Sequence, residues 1–80
     1  MIKAYPDNLF DEIKLLAKFP EESHMEGLKI HRDADEILIK SAKALFNKGL
    51  ITQLDGGYLT DSGREMSEHL HTVLDTMNKD

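Results

Sequence analysis

Cysteine is absent from the 80 residues of this chain, so neither a disulfide framework nor a thiolate metal site is available. The chain also has no run of 18 apolar residues, and its opening MIKAYPDNLF has no long apolar core. We therefore expect neither a secretion signal nor a membrane span. Together these absences favour a cytoplasmic protein with no membrane partner.

Basic residues are scarce, since 10 Lys and Arg stand against 15 Asp and Glu and give a net charge of −5. Phosphate neutralisation supplies most of the non-specific affinity for DNA, so a DNA-binding surface normally needs an excess of cations. Residues 29–48 carry such an excess, with five Lys and Arg against three acids, whereas the segments on either side are acidic. Any nucleic-acid contact is therefore predicted on residues 29–48.

The motifs of common enzyme sites are missing as well. The chain has no nucleophile elbow, no H-E-x-x-H and no dinucleotide or Walker glycines. A helical domain of this size leaves little room for the pocket of ~300 Å³ that small-molecule sites use. We expect no catalytic residue and no cofactor. Glu65 with His69 shares a helix face, as do Glu68, His71 and Asp75, but such sets are usually ordinary surface residues, so we expect no metal either.

The segment KGLITQLDGGYLTDSG, residues 48–63, carries the clearest structural signal. Two short alternating runs, residues 50–54 and 58–60, flank Asp55, Gly56 and Gly57. Asp-Gly and Gly-Gly between such runs favour a β-hairpin because a tight turn needs positive φ. The sequence predicts a hairpin whose turn is formed by these three residues.

Helical periodicity precedes the hairpin in two places. A first helix is predicted from Asp7 or Asn8, as cap, through Phe19, with an apolar face formed by Leu9, Ile13, Leu16 and Ala17. Pro20 then fits the first turn of a short second helix that Gly27 limits. Residues 28–31 alternate apolar and polar, which fits either a few strand residues or the tail of that helix. We interpret them as an extended link.

The next helix is predicted over residues 33–48 and ends at Gly49, a good residue for the position after a helix. Its buried face is predicted to contain Ala34, Leu38, Ser41, Ala42 and Leu45. Its exposed strip is predicted to contain Asp33, Glu36, Lys40, Lys43 and Asn47. Three further apolar residues, Ile37, Ile39 and Phe46, exceed what one buried face needs and are expected to meet the first or last helix in part.

A last helix is predicted from Asp61 to about Asn78, capped by Thr60 or by a Ser62–Glu65 capping box. One apolar stripe runs along it and consists of Met66, Leu70, Val73, Leu74 and Met77. Part of this stripe is expected to belong to the core of the domain. Because the helix is nearly as long as the domain, the remainder is a candidate homodimer interface, for which methionines are well suited.

Two runs carry a resemblance to a known class of regulator. Residues 44–51, ALFNKGLI, and residues 58–64, YLTDSGR, resemble the recognition helix, K-G-L-I, wing and L-T-x-x-G-R segment of bacterial repressors of the multiple-antibiotic-resistance and phenolic-acid-decarboxylase types. The whole chain is also similar to a short conserved bacterial family of unknown function, loosely labelled as related to an inhibitor of DNA binding. The resemblance implies a single winged helix-turn-helix domain over residues 1–80. It also implies that the helix at 33–48 enters the major groove and that the wing tip at 54–57 touches the flanking backbone.

Two functions follow as hypotheses. The first is a transcription-regulator-like module that binds duplex DNA, with predicted contacts from Lys29, Arg32, Lys40, Lys43, Asn47 and Lys48. The second is a protein-interaction adaptor that keeps the winged-helix fold without binding DNA. The second hypothesis rests on the lack of Lys or Arg between Lys48 and Arg64, and on the acids that begin the helix at 33–48. In that case the basic residues form a solvated helix face with ion pairs to Glu36 and Asp33.

Overall fold

A computed structural model of the chain describes residues 4–20 and 27–79. In these residues the chain is mainly helical, with three α-helices and a three-stranded antiparallel sheet. The elements follow in the order α1 (Asp7–Lys18), β1 (Leu28–Lys29), α2 (Glu36–Asn47), β2 (Ile51–Gln53), β3 (Gly56–Leu59) and α3 (Asp61–Met77). The predicted class, mainly helical with a β-hairpin, is confirmed. The predicted short second helix falls on residues 21–26, which lie outside the described residues.

The first helix, α1, begins at Asp7 without a side-chain cap, so the predicted cap by Asp7 or Asn8 is wrong. The N-cap position belongs to Pro6, whose backbone is extended (φ −66°, ψ 148°) and whose carbonyl accepts a hydrogen bond from Leu9 N at 3.1 Å. The Asn8 amide instead donates to the Glu12 carboxylate at 3.3 Å. The helix ends at Lys18, one residue earlier than predicted.

The second helix, α2, begins at Glu36 rather than at Asp33. Asp35 occupies the N-cap position and accepts a hydrogen bond from Ile37 N at 3.0 Å. An N-cap residue needs a non-helical backbone, and the ψ of 137° at Asp35 prevents the helix from extending further back. The other end falls one residue before the predicted Lys48, which is the C-cap residue, and Gly49 follows it with φ +76°.

The predicted hairpin is confirmed, but its turn lies elsewhere. Leu54 and Asp55 form the turn, whereas Gly56 and Gly57 belong to β3 with φ values of +117° and +76°. The approach of strand β1 explains why glycines occupy positions 56 and 57 of β3. Strand β1 lies so close to β3 that a Cβ on Gly56 would come within 2.2 Å of the Leu28 carbonyl oxygen. The glycines therefore permit a close approach of two strands as well as an unusual backbone conformation.

Strand β1 answers the question that the sequence left open at residues 28–31. Leu28 pairs with Gly57 and Lys29 with Gly56, and the sheet has the order β1-β3-β2. A backbone hydrogen bond from Ile30 N to the Asp55 carbonyl, 2.7 Å long, continues this contact to the hairpin turn. The extended link thus becomes an edge strand.

The core lies between α1, α2 and the sheet. Eight apolar side chains are buried there, namely Leu15, Leu16, Phe19, Ile30, Ala42, Leu45, Ile51 and Leu59. The predicted buried face of α2 is largely confirmed, since Ser41, Ala42 and Leu45 are buried and the others are half-buried. The three extra apolar residues of α2 lie on the surface. The side chain of Ile37 is 56% exposed, and those of Ile39 and Phe46 are 38% and 37% exposed.

The third helix, α3, is capped by Thr60, whose hydroxyl accepts a hydrogen bond from Gly63 N at 3.0 Å. Its buried residues are Gly63 and Ser67. A Cβ on Gly63 would lie 1.9 Å from the Leu50 carbonyl oxygen, so this helix packs on its smallest residues. The prediction that the apolar stripe belongs to the core holds for Leu70, which packs against the buried cluster. The rest of the stripe is exposed, because the core contact lies on the neighbouring face of the helix.

The described parts of the chain contain no helix that is both long and apolar enough to cross a membrane.

Candidate functional site

The predicted nucleic-acid contacts come from separate parts of the fold. Lys40, Lys43 and Asn47 are exposed and share one face of α2, as the helical spacing requires. Lys29 lies in β1, and Arg32 lies in the turn before α2. The sixth residue, Lys48, follows the end of α2 and reaches α1 instead of joining the others.

Three of the five cations in this set are held by carboxylates. Lys29 Nζ lies 3.2 Å from Asp55 Oδ2, and Lys40 Nζ lies 3.1 Å from Glu36 Oε1. Both pairs are well exposed and contribute little to stability, but each offsets the charge that a phosphate would meet. The predicted pairing of Glu36 with Lys40 is confirmed.

The third pair joins Lys48 to Glu12 and differs in its setting. The Glu12 side chain is 6% exposed, whereas the Lys48 side chain is half exposed. The Asn8 amide supplies a second hydrogen bond to the same carboxylate. Because a buried carboxylate needs a partner, Lys48 has a structural role between α1 and the end of α2.

The sequence reasoning missed this buried pair, although a signal for it was present. Glu12 precedes Leu15, Leu16 and Phe19 at helical spacing and so occupies the face that is buried. A carboxylate on such a face requires a cation or several hydrogen bonds. The identity of that cation depends on how α1 packs against α2, which periodicity alone does not supply.

The electrostatic balance of the predicted DNA surface is close to zero. Two cations, Arg32 and Lys43, make no ion pair with any described residue. Two exposed acids, Asp33 and Asp35, lie at the start of α2. Three carboxylates, Glu12, Glu36 and Asp55, pair with cations of this region, and Asp33 and Asp35 add negative charge beside them.

A groove lies between the hairpin turn and the first half of α2, and we call it the hairpin groove. Its volume is about 280 Å³, and it is lined by Ile30, His31, Arg32, Ile39, Leu54 and Asp55. Leu54 at the turn is 54% exposed and Ile39 is 38% exposed, so two large apolar side chains face solvent beside Arg32. Since Asp55 is paired with Lys29, the guanidinium of Arg32 is the cation left to meet a ligand here.

The predicted dimer residues line one side of α3. Met66, Val73 and Met77 are 51%, 55% and 80% exposed, Leu74 is 41% exposed, and Leu70 is half-buried. Every residue from Thr72 to Lys79 is exposed. The second half of the helix therefore presents an apolar surface that the described part of the same chain does not cover.

Within the described residues, no three side chains of the His, Asp or Glu type are grouped so that they would hold a metal ion. This search includes the two sets that share a face of α3, which are Glu65 with His69, and Glu68 with His71 and Asp75.

Comparison with known proteins identifies a family. The model of a family of unknown function, DUF5669, matches residues 3–78, which is nearly the whole chain. No curated protein and no solved structure matches the sequence or the fold.

Proposed function

This chain belongs to the DUF5669 family of unknown function, and from its geometry we propose that it is a non-catalytic winged-helix module that binds another protein through the hairpin groove. The observation that carries the proposal is this groove, in which exposed apolar side chains lie beside an unpaired Arg32, next to a helix face whose charge is already balanced.

The order of the elements supports the winged-helix assignment. A hairpin follows α2 directly, and the sheet has the antiparallel order β1-β3-β2 with α3 after the hairpin. This arrangement agrees with the resemblance of residues 44–51 and 58–64 to the recognition helix and wing of bacterial repressors. In that comparison α2 takes the place of the recognition helix, and the turn at Leu54 and Asp55 takes the place of the wing tip.

The charges favour a protein over DNA as the partner. Affinity for a duplex depends on releasing counterions from phosphates, and each ion pair within the protein removes a cation from that exchange. Lys29, Lys40 and Lys48 are all paired. The wing offers an apolar tip at Leu54 and no cation of its own. Phosphates would meet a surface with no excess of positive charge.

The lining of the hairpin groove indicates the chemistry of the partner. Ile30, Ile39 and Leu54 form an apolar surface large enough for one bulky aliphatic or aromatic side chain. The unpaired Arg32 at its border suits a carboxylate, which a guanidinium binds with two parallel hydrogen bonds. The partner is therefore a protein segment that carries an Asp or Glu close to a large apolar residue.

Duplex DNA remains the second candidate, and one observation favours it. Lys43 and Asn47 are exposed on the same face of α2, and with Arg32 they are free to contact a phosphate or a base edge. Three such residues amount to a small contact, so binding by this face would be weak and strongly dependent on salt.

A titration into random-sequence duplex DNA separates the two candidates. We expect no saturable binding below about 100 μM protein at low salt, because few cations are free to displace counterions. Lys43→Glu should then change nothing. Micromolar binding that weakens as salt is raised, and that Lys43→Glu abolishes, would establish DNA as the partner and overturn the proposal.

Selection from a displayed library of random peptides tests the groove itself. Peptides selected on the wild-type protein should share an acidic residue within about two positions of a large apolar one, as expected for one apolar anchor and one charged contact. Leu54→Asp and Arg32→Glu should each abolish their binding. Gln53→Asp is the matched control, because it places the same charge on the adjacent exposed residue, outside the groove. Selected peptides that bind Leu54→Asp as well as wild type would contradict the proposal.

A further inference from the structure

Four apolar side chains of α3 are spaced symmetrically along the helix, and of these Met66, Val73 and Met77 are exposed whereas Leu70 is half-buried. Met66, Leu70, Val73 and Met77 are separated by four, three and four residues. At ~100° per residue these four positions fall within about 60° of one another around the helix axis, and at ~1.5 Å per residue they extend over about 16 Å. The pattern is a two-heptad seam, with Met66 and Val73 at d positions and Leu70 and Met77 at a positions.

From this spacing we propose that α3 pairs with α3 of a second copy of the chain in an antiparallel arrangement. In this arrangement Met66 faces Met77 of the second copy, and Leu70 faces Val73 of the second copy. A two-fold axis between residues 71 and 72 relates the two helices, so that both halves of the contact are identical, as an isologous interface requires. This inference goes beyond the proposed function and does not depend on it.

The distribution of charge on α3 favours a second copy over a different partner. Two chains of net charge −5 repel each other, so a contact between them is favoured only where it adds no like charges at close range. The exposed e and g positions, which border the seam, are uncharged or weakly basic and comprise Leu74, His69 and Thr76, while Ser67 at the remaining e position is buried against its own chain. The acids of the helix lie at c and f positions on the opposite side and comprise Asp61, Glu65, Glu68 and Asp75. A seam adapted to a charged partner would instead carry complementary charges at its borders.

One face of α3 packs against the body of its own chain, and the neighbouring face is exposed. Gly63 and Ser67 are buried against the body of the same chain, while Met66, Val73 and Met77 remain at least half exposed. Leu70 and Leu74 lie on the boundary between these faces. A second copy is therefore accommodated without moving α3 from its own core. The seam is short, so we expect a dissociation constant of about 10 to 100 μM, at the weak end for specific interfaces.

Disulfide cross-linking tests the direction of the pairing. The natural chain has no cysteine, so only the introduced cysteines can form a disulfide. Met66→Cys and Met77→Cys are prepared separately, tagged to differ in mass, and oxidised alone or as an equal mixture. The antiparallel register brings position 66 of one copy to position 77 of the other, close enough for a disulfide, so the cross-link between the two variants should form about fivefold or more faster than either same-variant cross-link. Same-variant cross-links that form as fast or faster would overturn the register.

Sedimentation equilibrium tests the association itself. The wild-type chain should be dimeric at about 500 μM, and Val73→Glu should be monomeric because two like charges would enter an apolar seam. The control is Thr72→Glu, which adds the same charge to the adjacent exposed residue at a c position, away from the seam, and should remain dimeric. Met77→Glu, at the most exposed position of the stripe, provides a second variant if Val73→Glu does not fold. A wild-type monomer at this concentration, or equal behaviour of Val73→Glu and Thr72→Glu, would overturn the proposal.

Discussion

At the scale of single residues, Ser67 shows how closely α3 is fitted to the body of the protein. Its side chain is 1% exposed, and its hydroxyl oxygen has no hydrogen-bond partner among the described residues. An unsatisfied buried hydroxyl costs about 1 to 3 kcal/mol relative to water. The position therefore needs a small side chain, and no hydrogen bond among the described residues stabilises the hydroxyl group.

We expect Ser67→Ala to raise the free energy of unfolding by about 1 kcal/mol, because it removes the unsatisfied hydroxyl and improves helix propensity. Urea unfolding followed by circular dichroism measures this change. Ser62→Ala serves as the control, since Ser62 is exposed near the start of the same helix and should change stability by less than about 0.5 kcal/mol. A loss of stability in Ser67→Ala would mean that the hydroxyl is bound.

At the scale of the elements, the pair formed by Glu12 and Lys48 joins the middle of α1 to the end of α2. Lys48 occupies the C-cap position of α2, beyond its last helical residue. The pair therefore lies at the point where the chain leaves α2 and enters the hairpin. A basic residue that the sequence assigns to DNA contact is used to hold two helices together.

Replacement of Lys48 by Met should lower the free energy of unfolding by about 1 to 3 kcal/mol, because Glu12 would remain buried without its cation. The lower part of this range applies because Lys48 itself is half exposed. Thermal and urea unfolding provide the measurement.

Lys43→Met is the matched control for Lys48→Met, as Lys43 is an exposed cation of the same helix without an ion pair to the described residues. It should change stability by less than about 0.5 kcal/mol. Adding Glu12→Gln to Lys48→Met should recover part of the loss, because a neutral amide is cheaper to bury than a carboxylate. Equal effects of Lys43→Met and Lys48→Met would show that the buried pair has no special role.

The elements also show what sequence patterns can and cannot predict. Apolar spacing located α1, α2 and α3, because one buried face per helix is a local property. The glycine pattern placed the hairpin turn at residues 55–57 instead of 54–55, since Gly56 and Gly57 are required by the approach of β1 from a distant part of the sequence. Apolar spacing placed the start of α2 too early, because both Asp33 and Asp35 can cap a helix and the tertiary structure decides between them.

The candidate sites were also predictable only as far as they depend on local spacing along the chain. Exposure of Lys40, Lys43 and Asn47 followed from helical spacing. The hairpin groove did not, because it combines residues from the link after β1, from α2 and from the hairpin turn. The exposure of Met66, Val73 and Met77 depended on which face of α3 meets the core, and Gly63 and Ser67 occupy that face.

At the scale of the whole molecule, the C-terminal end of α3 lies outside the core. The body of the protein contacts the helix at Gly63, Ser67 and Leu70, whereas residues 75–79 are all exposed. The chain can therefore lose its last residues without losing its core.

A variant that ends at Leu74 should keep the free energy of unfolding within about 1 kcal/mol of the full chain, because residues 75–79 are all exposed in the described structure. It should also associate more weakly, since Met77 is removed from the seam. A shorter variant that ends at Met66 should fail to fold, because it lacks Ser67 and Leu70. Circular dichroism and urea unfolding compare the three chains, and a large loss of stability in the longer variant would contradict this division.

The short strand β1 has a consequence for the order of folding. Leu28 pairs with Gly57, 29 positions later, and the strand is only two residues long. Closing so long a loop costs about 3 kcal/mol of chain entropy, while each hydrogen bond returns only about 1 kcal/mol. The local units α2, hairpin and α3 should assemble first, with β1 joining last and detaching first. Because Ile30, His31 and Arg32 follow β1, the hairpin groove exists only while that strand is attached, so an occupant of the groove would stabilise the attached strand against detachment.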